Sequence, residues 1–151
     1  KDPLAVAGLG DQAEAARAVT EQGPVALPEE MPDRYRSATV TVLPSWEEAF
    51  GLVLAESLAC GTPAVCTTEG GMTEVVDSPE VGRTAPFGDV DALARALDEA
   101  TELAARPGTA AACAGHARRW GWVEAVGPAH LALYERVLGG RRPVAHRSAT
   151  P

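Results

Sequence analysis

Thr39-Val40-Thr41-Val42-Leu43-Pro44-Ser45-Trp46-Glu47-Glu48-Ala49-Phe50-Gly51-Leu52-Val53-Leu54-Ala55-Glu56-Ser57-Leu58-Ala59-Cys60-Gly61-Thr62-Pro63 is the stretch whose reading decides the fold. Its opening residues are largely β-branched and predict a central strand, Thr39 to Leu43, which stops at Pro44. A short loop follows. From Leu52 onward, apolar residues recur at Leu52, Ala55, Leu58 and Ala59, a helical spacing that predicts one apolar face. Gly61-Thr62-Pro63 closes the helix, because glycine suits the left-handed position after a C-cap and proline cannot continue a helix.

Two carboxylates bracket the helix start, Glu48 in the loop and Glu56 after the first turn, with seven residues between them. The helix N-terminus lies between them, and its first backbone N–H groups, around Gly51, Leu52 and Val53, lack intrahelical partners and favour an anion. The element therefore offers an acceptor, an anion cradle and a second acceptor in order. Sugar hydroxyls, a diphosphate and ribose hydroxyls follow the same order in a nucleotide sugar. Gly51 is costly inside a helix, by ~1 kcal/mol against alanine, and is better accounted for by close approach of a ligand to Phe50-Gly51-Leu52-Val53. Glu47 breaks the spacing and is read as solvated.

Upstream, Leu4 to Gly8 reads as a strand ending in Gly8-Leu9-Gly10, and Asp11 to Gln22 as a helix with Asp11 as its N-cap. Gly8 and Gly10 serve either a phosphate or only a tight turn. Pro24 to Pro28 is at most a short strand, and Met31 to Ser37 holds one or two helical turns. Downstream, Ala64 to Thr67 is the next strand. Gly70-Gly71 is a turn or a ligand-facing loop before a short helix reaching Val76. Gly82 to Ala85 is a short edge strand. Asp89 caps a helix with Leu93, Ala96, Leu97 and Ala100 on one face, and Pro107-Gly108 breaks it. Ala110 to Trp120 and Val123 to Leu138 are the last helices, the latter around Pro128. Residues 1–138 are expected to form one domain, and 139–151 a disordered tail. Strands alternating with helices predict an α/β domain with a doubly wound parallel sheet, whose ligands sit beyond the C-terminal strand ends. Glu48, Gly8, Gly10, Gly70 and Gly71 all fall at such ends.

The word from Leu43-Pro44-Ser45 through Glu48, Phe50-Gly51-Leu52-Val53-Leu54 and Glu56 to Ala59-Cys60-Gly61-Thr62-Pro63 resembles the E-x7-E element of retaining, family 4 glycosyltransferases with the GT-B fold. Tyr35-Arg36-Ser37-Ala38, the Gly-Gly turn before Glu74-Val75-Val76, Gly88-Asp89 with Ala92-Leu93, and the late Arg118-Arg119-Trp120-Gly121-Trp122 with Leu133-Tyr134 extend the likeness over most of residues 4 to 138. Ala49 and Thr73 depart from it, standing where Gly, Pro or Ser, and Pro, are usual. The resemblance implies the Rossmann-like C-terminal, donor-binding half of the enzyme, taking a hexosyl group from a nucleotide-diphosphate sugar to an acceptor hydroxyl. It implies that Glu48, the candidate catalytic residue, meets donor-sugar hydroxyls and that Glu56 meets the ribose. It also implies that the cationic pair on the diphosphate, the acceptor site and any catalytic His lie outside this chain, so that the chain alone is inactive. No metal or other cofactor is expected. Non-catalytic nucleotide-sugar binding, or an epimerase or phosphorylase of the same fold, are the alternatives.

Composition fits this reading. The chain has 151 residues, 46% hydrophobic and 23% charged, and a net charge of −8 that argues against a nucleic-acid surface. No apolar run approaches a membrane span and no signal peptide is visible. The chain opens on Lys1 and is read as a piece of a longer protein. The expected location is the cytoplasm, with peripheral contact to the inner face of the membrane through the missing domain. Cys60, Cys66 and Cys113 form no metal or disulfide pattern, and Cys60 and Cys66 are read as buried apolar residues. His116, His130, Trp120 and Trp122 are read as packing or surface residues.

Overall fold

The computed structural model describes residues 28–139. The expected elements between Leu4 and Leu27, with Gly8 and Gly10, and the tail beyond Gly139 lie outside the described residues. The chain divides into two compact units, 1–31 and 32–151. Of the first, the described part is a 3-10 turn, Pro28–Glu30, and Met31, which opens helix α1, Met31–Ser37.

In the second unit, β1 (Thr41–Leu43), β2 (Ala64–Thr67) and β3 (Gly82–Ala85) form a parallel sheet in the order β1-β2-β3. Thr41 stands opposite Ala64, and Ala64 opposite Gly82. The helix α2 (Leu52–Ala59) connects the first two strands, and a one-turn helix α3 (Met72–Val75) lies between the second and third. After β3 come α4 (Val90–Ala104), α5 (Thr109–Ala117), a 3-10 turn Arg118–Trp120, a π-helical turn Trp122–Val126 and α6 (Gly127–Gly139). Every residue of β2 is buried. Successive side chains of a strand point to opposite faces. Ala64 and Cys66 pack with Leu54 and Leu58 of α2, Met72 and Val75 of α3, and Cys113 and Ala117 of α5. Val65 packs on the other face with Ala85 and with Ala96 and Ala100 of α4. Helices thus cover both faces of a parallel sheet, the expected α/β class.

The terminators behave as their chemistry dictates. Asp89 Oδ1 accepts from the Ala92 N–H at 2.8 Å, capping α4. Gly108 adopts φ 91° ahead of α5, so the Pro107-Gly108 break is real. The expected Ala110–Trp120 helix instead tightens into a 3-10 turn from Arg118. The last helix is not continuous either, for a π turn precedes the α segment, and Pro128 falls in the first turn of α6, where its missing N–H costs nothing. The strand expected from Thr39 begins at Thr41.

The apolar face expected on α2 needs correction. Leu54 and Leu58 are buried with Ser57, whereas Leu52 is 68% exposed and Ala59 is exposed. The helix is apolar nearly all round, so composition alone does not mark which side meets the sheet. Cys66 and Cys113 are fully buried, but Cys60, the C-cap of α2, is only half-buried. No helix among the described residues is long and apolar enough to cross a membrane.

Candidate functional site

The loops after the three strands are laced together at the C-terminal edge of the sheet. Thr67 Oγ1 donates to the Ser45 carbonyl. Gly71 N–H donates to the Glu48 carbonyl at 2.9 Å, and Glu48 pairs with Gly70 in a parallel bridge. A Cβ on Gly70 would run into the Glu48 carbonyl, and one on Gly71 into the Ala49 carbonyl. Gly70, at φ 78°, also holds a conformation that L side chains rarely adopt. The Gly70-Gly71 pair therefore permits one loop to seat on another, which fixes the backbone of Glu48.

Gly51 is the N-cap of α2, in the left-handed conformation at φ 84°, ψ 59°. It is not an interior residue of the helix, so the interior cost expected for it does not apply, and its positive φ is by itself a reason for glycine. A Cβ added there would meet the side chains of Leu54, Met72 and Leu43. No side chain caps the helix here. The Leu54 N–H turns back to the Gly51 carbonyl at 2.9 Å. The preceding amides of Leu52 and Val53 have no intrahelical acceptor, and both residues are exposed. Phe50 packs beside Gly51, edge-to-face on Trp120 at 5.8 Å.

Glu56 lies in the second turn of α2, exposed, and its Oε2 accepts from the Tyr35 hydroxyl at 2.9 Å. Tyr35 is buried; that burial, with the hydrogen bond to the carboxylate, pushes its phenol far above its ordinary pKa, so it stays a donor. The Tyr35 carbonyl accepts from Thr62 Oγ1 at 2.6 Å. The hydroxyl of Ser57, next to Glu56, donates to the Thr62 carbonyl at 3.1 Å and shares a 2.8 Å hydrogen bond with the Thr41 hydroxyl. Sequence reasoning did not identify these supports. A hydroxyl inside an apolar helix was the available signal for Ser57, but nothing local marks Tyr35 as the partner of Glu56. Glu56, Leu52, Phe50, Trp120 and Trp122 are among the residues that line a mostly apolar cleft of about 540 Å³.

Glu48, the uncapped start of α2 and Glu56 thus occupy one loop–helix element at the C-terminal edge of a parallel sheet. The end of α3 is tied to the end of α5 and the 3-10 turn that follows it. Arg119 pairs with Asp77 at 2.8 Å and donates to the Glu74 carbonyl at 2.9 Å at the end of α3, and its guanidinium lies 4.2 Å from the Trp120 ring centre. His116 Nε2 lies 3.1 Å from both Asp77 and the Val75 carbonyl.

A parallel α/β domain with this element at the C-terminal edge of its sheet is of the type found in GT-B glycosyltransferases. The chain belongs to the family described as glycosyl transferases group 1, whose model matches residues 8–120. It is similar to D-inositol 3-phosphate glycosyltransferases: 36% identical over 118 residues to that of Acidothermus cellulolyticus, covering 78% of this chain and 26% of that protein. To that of Arthrobacter sp. it is 34% identical over 154 residues, covering 97% of this chain and 34% of that protein. Among solved structures, it is similar to sucrose-phosphate synthase from Thermosynechococcus elongatus, with a TM-score of 0.67 and 31% identity over 89% of this chain and 34% of that one. The chain spans about a quarter to a third of the length of these relatives.

Proposed function

We propose that this chain is the donor-binding part of a retaining glycosyltransferase that moves a hexosyl group from a nucleotide-diphosphate sugar to an acceptor hydroxyl. The observation that carries the reading is the opening of α2. Gly51 starts the helix without a side-chain cap, and the first-turn amides of the exposed residues Leu52 and Val53 lie in the chain between two carboxylates. Ionised carboxylates are acceptor-only groups, suited to vicinal hydroxyls. Glu48 takes hydroxyls of the transferred sugar, and Glu56, held by Tyr35, takes those of the ribose. As the bond to the anomeric carbon breaks, negative charge grows on the leaving diphosphate. The Leu52 and Val53 amides and the helix dipole stabilise it without reorganising. The acceptor and the cations that complete the site belong to the rest of the protein, so this chain alone binds donor and transfers nothing.

Ligand-observed NMR with the glucose conjugates of uridine, guanosine and adenosine diphosphate tests the reading. One donor is expected to bind, and Glu56→Ala to weaken it by about tenfold or more, the loss expected for a charge-assisted hydrogen bond. Tyr35→Phe, which keeps the carboxylate, should weaken it less. Donor binding indifferent to Glu56→Ala, or turnover by the isolated chain, would overturn the assignment.

A further inference from the structure

Trp120, the last residue of the 3-10 turn after α5, is half-buried and has three close neighbours. Phe50 meets it edge-to-face at 5.8 Å, the His116 ring does so at 5.4 Å, and the Arg119 guanidinium lies 4.2 Å from its ring centre. Two of these neighbours are themselves anchored. Asp77 lies 2.8 Å from Arg119 and 3.1 Å from His116, and Arg119 lies 2.8 Å from His116 Nε2. Holding an exposed arginine in one place costs rotamer freedom. The polar contacts thus add a restraint on the ring that apolar packing alone does not supply.

This cluster reaches the opening of α2 by two routes. Phe50 directly precedes Gly51, the N-cap. On the other route, a Cβ on Gly51 would meet Met72, the first residue of α3, at 3.2 Å. The end of that one-turn helix presents the Glu74 carbonyl to Arg119 and the Val75 carbonyl to His116. Gly51 therefore adjoins two residues, Phe50 and Met72, that the Trp120 cluster supports. It needs such support, because no side chain caps the helix. The first bonds of the helix are those of the Leu54 and Ala55 amides to the Gly51 carbonyl, at 2.9 and 3.4 Å. Helix ends without outside restraint fray. Donors that are fixed beforehand stabilise a growing charge better than mobile ones, since nothing has to reorganise.

On the reading that the opening of α2 cradles the donor's diphosphate, we propose that Trp120 is a positioning residue of that cradle. Its ring, restrained by Arg119, His116 and Asp77, holds Phe50 and so fixes the direction of the Leu52 and Val53 amides. Trp120 acts through Phe50 and Gly51 and makes no contact with the ligand itself.

Amide-resolved NMR of the full 151-residue chain tests this in two arms. In the ligand-free protein, hydrogen exchange at Leu54 and Ala55 reads the opening of α2. Trp120→Ala is expected to speed it by about two- to tenfold relative to Leu58 in the same helix, the range for one edge-to-face contact, and Trp120→Phe should restore it. Val65→Ala, a core change on the other face of the sheet, should leave that ratio unchanged. In the second arm the chain is titrated with uridine, guanosine and adenosine diphosphate. One of them is expected to shift the Leu52 and Val53 amides, and Trp120→Ala to weaken its binding by a similar factor, again rescued by Trp120→Phe and unaffected by Val65→Ala. Asp77→Asn, which keeps the Arg119 charge but loosens its anchor, should weaken binding in the same direction. Tighter binding by Asp77→Asn would mean that Arg119 meets the phosphate itself and would overturn the proposal. Circular dichroism identifies a variant that has lost its fold, and Trp120→Leu, which keeps apolar bulk without the ring, then replaces Trp120→Ala. Unchanged exchange at Leu54 and Ala55 in the folded variant, or unchanged diphosphate affinity beside a wild type that binds, overturns the role of Trp120 and leaves the donor reading standing. A wild type that binds none of the three diphosphates overturns the donor reading, and the role of Trp120 toward a ligand falls with it.

Discussion

Gly70 and Gly71 act through the side chain they lack. Their backbone meets the carbonyls of Glu48 and Ala49, so any Cβ must push the two loops apart. Gly71→Ala is expected to lower unfolding free energy by about 1–3 kcal/mol, and Gly70→Ala by at least as much because its positive φ adds strain. Urea titration followed by circular dichroism checks both. The sequence left these glycines open between turn and ligand loop, since a Gly-Gly pair looks the same in either case. What separates them is the distance to another loop, which no local pattern records. Tyr35 makes the same point. Tyr35→Phe deletes one hydrogen bond to an exposed carboxylate and should cost about 0.5–1.5 kcal/mol while leaving the fold intact.

Among the elements, those with strong local punctuation were readable in advance. The Asp89 cap, the Pro107-Gly108 break and the Gly61-Thr62-Pro63 stop are short-range chemistry, and each is where the residues predict. Asp89→Ala should destabilise by about 1 kcal/mol, the usual value for a lost N-cap. α2 was read correctly as a helix, and of its expected inward face Leu58 is buried and Ala55 packs on the core while Leu52 and Ala59 are exposed. Leu52 was expected inside and stands in solvent, while Leu54 and Ser57 are buried. Leu54→Ala is therefore expected to cost about 2–5 kcal/mol and Leu52→Ala less than about 1 kcal/mol, measured on the same urea curves. No residue from Trp122 to Gly139 is buried. Ending the chain after Gly121 should accordingly leave the unfolding midpoint of the remaining domain almost unchanged.

For the whole molecule, the two cores on either side of β2 set both stability and its pH dependence. Burial pushes the Cys66 and Cys113 thiols up to about 11 from 9.0. A raised acid pKa means that the folded state keeps its proton longer than the unfolded chain. Stability is therefore fully present below pH 9.0 and is lost as the pH rises through about 11, and the Tyr35 phenol, also raised, adds to the loss. Denaturation midpoints measured across this range should fall, whereas Cys66→Ala and Cys113→Ala should flatten the slope. Thiol labelling should modify half-buried Cys60 in the folded protein and reach the other two only on unfolding.

The sequence alone determined the alternation of strands and helices in the described region, their terminators, and the placing of Glu48 and Glu56 on either side of a helix start. All of these depend on residues within one or two turns of each other, where propensity and capping act directly. Only the tertiary structure decided that Tyr35 holds Glu56 from 21 positions away, that Gly70 and Gly71 seat the Glu48 loop, and that Trp46 meets Phe87. Such contacts join segments that the parallel crossovers bring to one edge of the sheet. Packing between distant segments is set by the whole core, and no single stretch of chain encodes it.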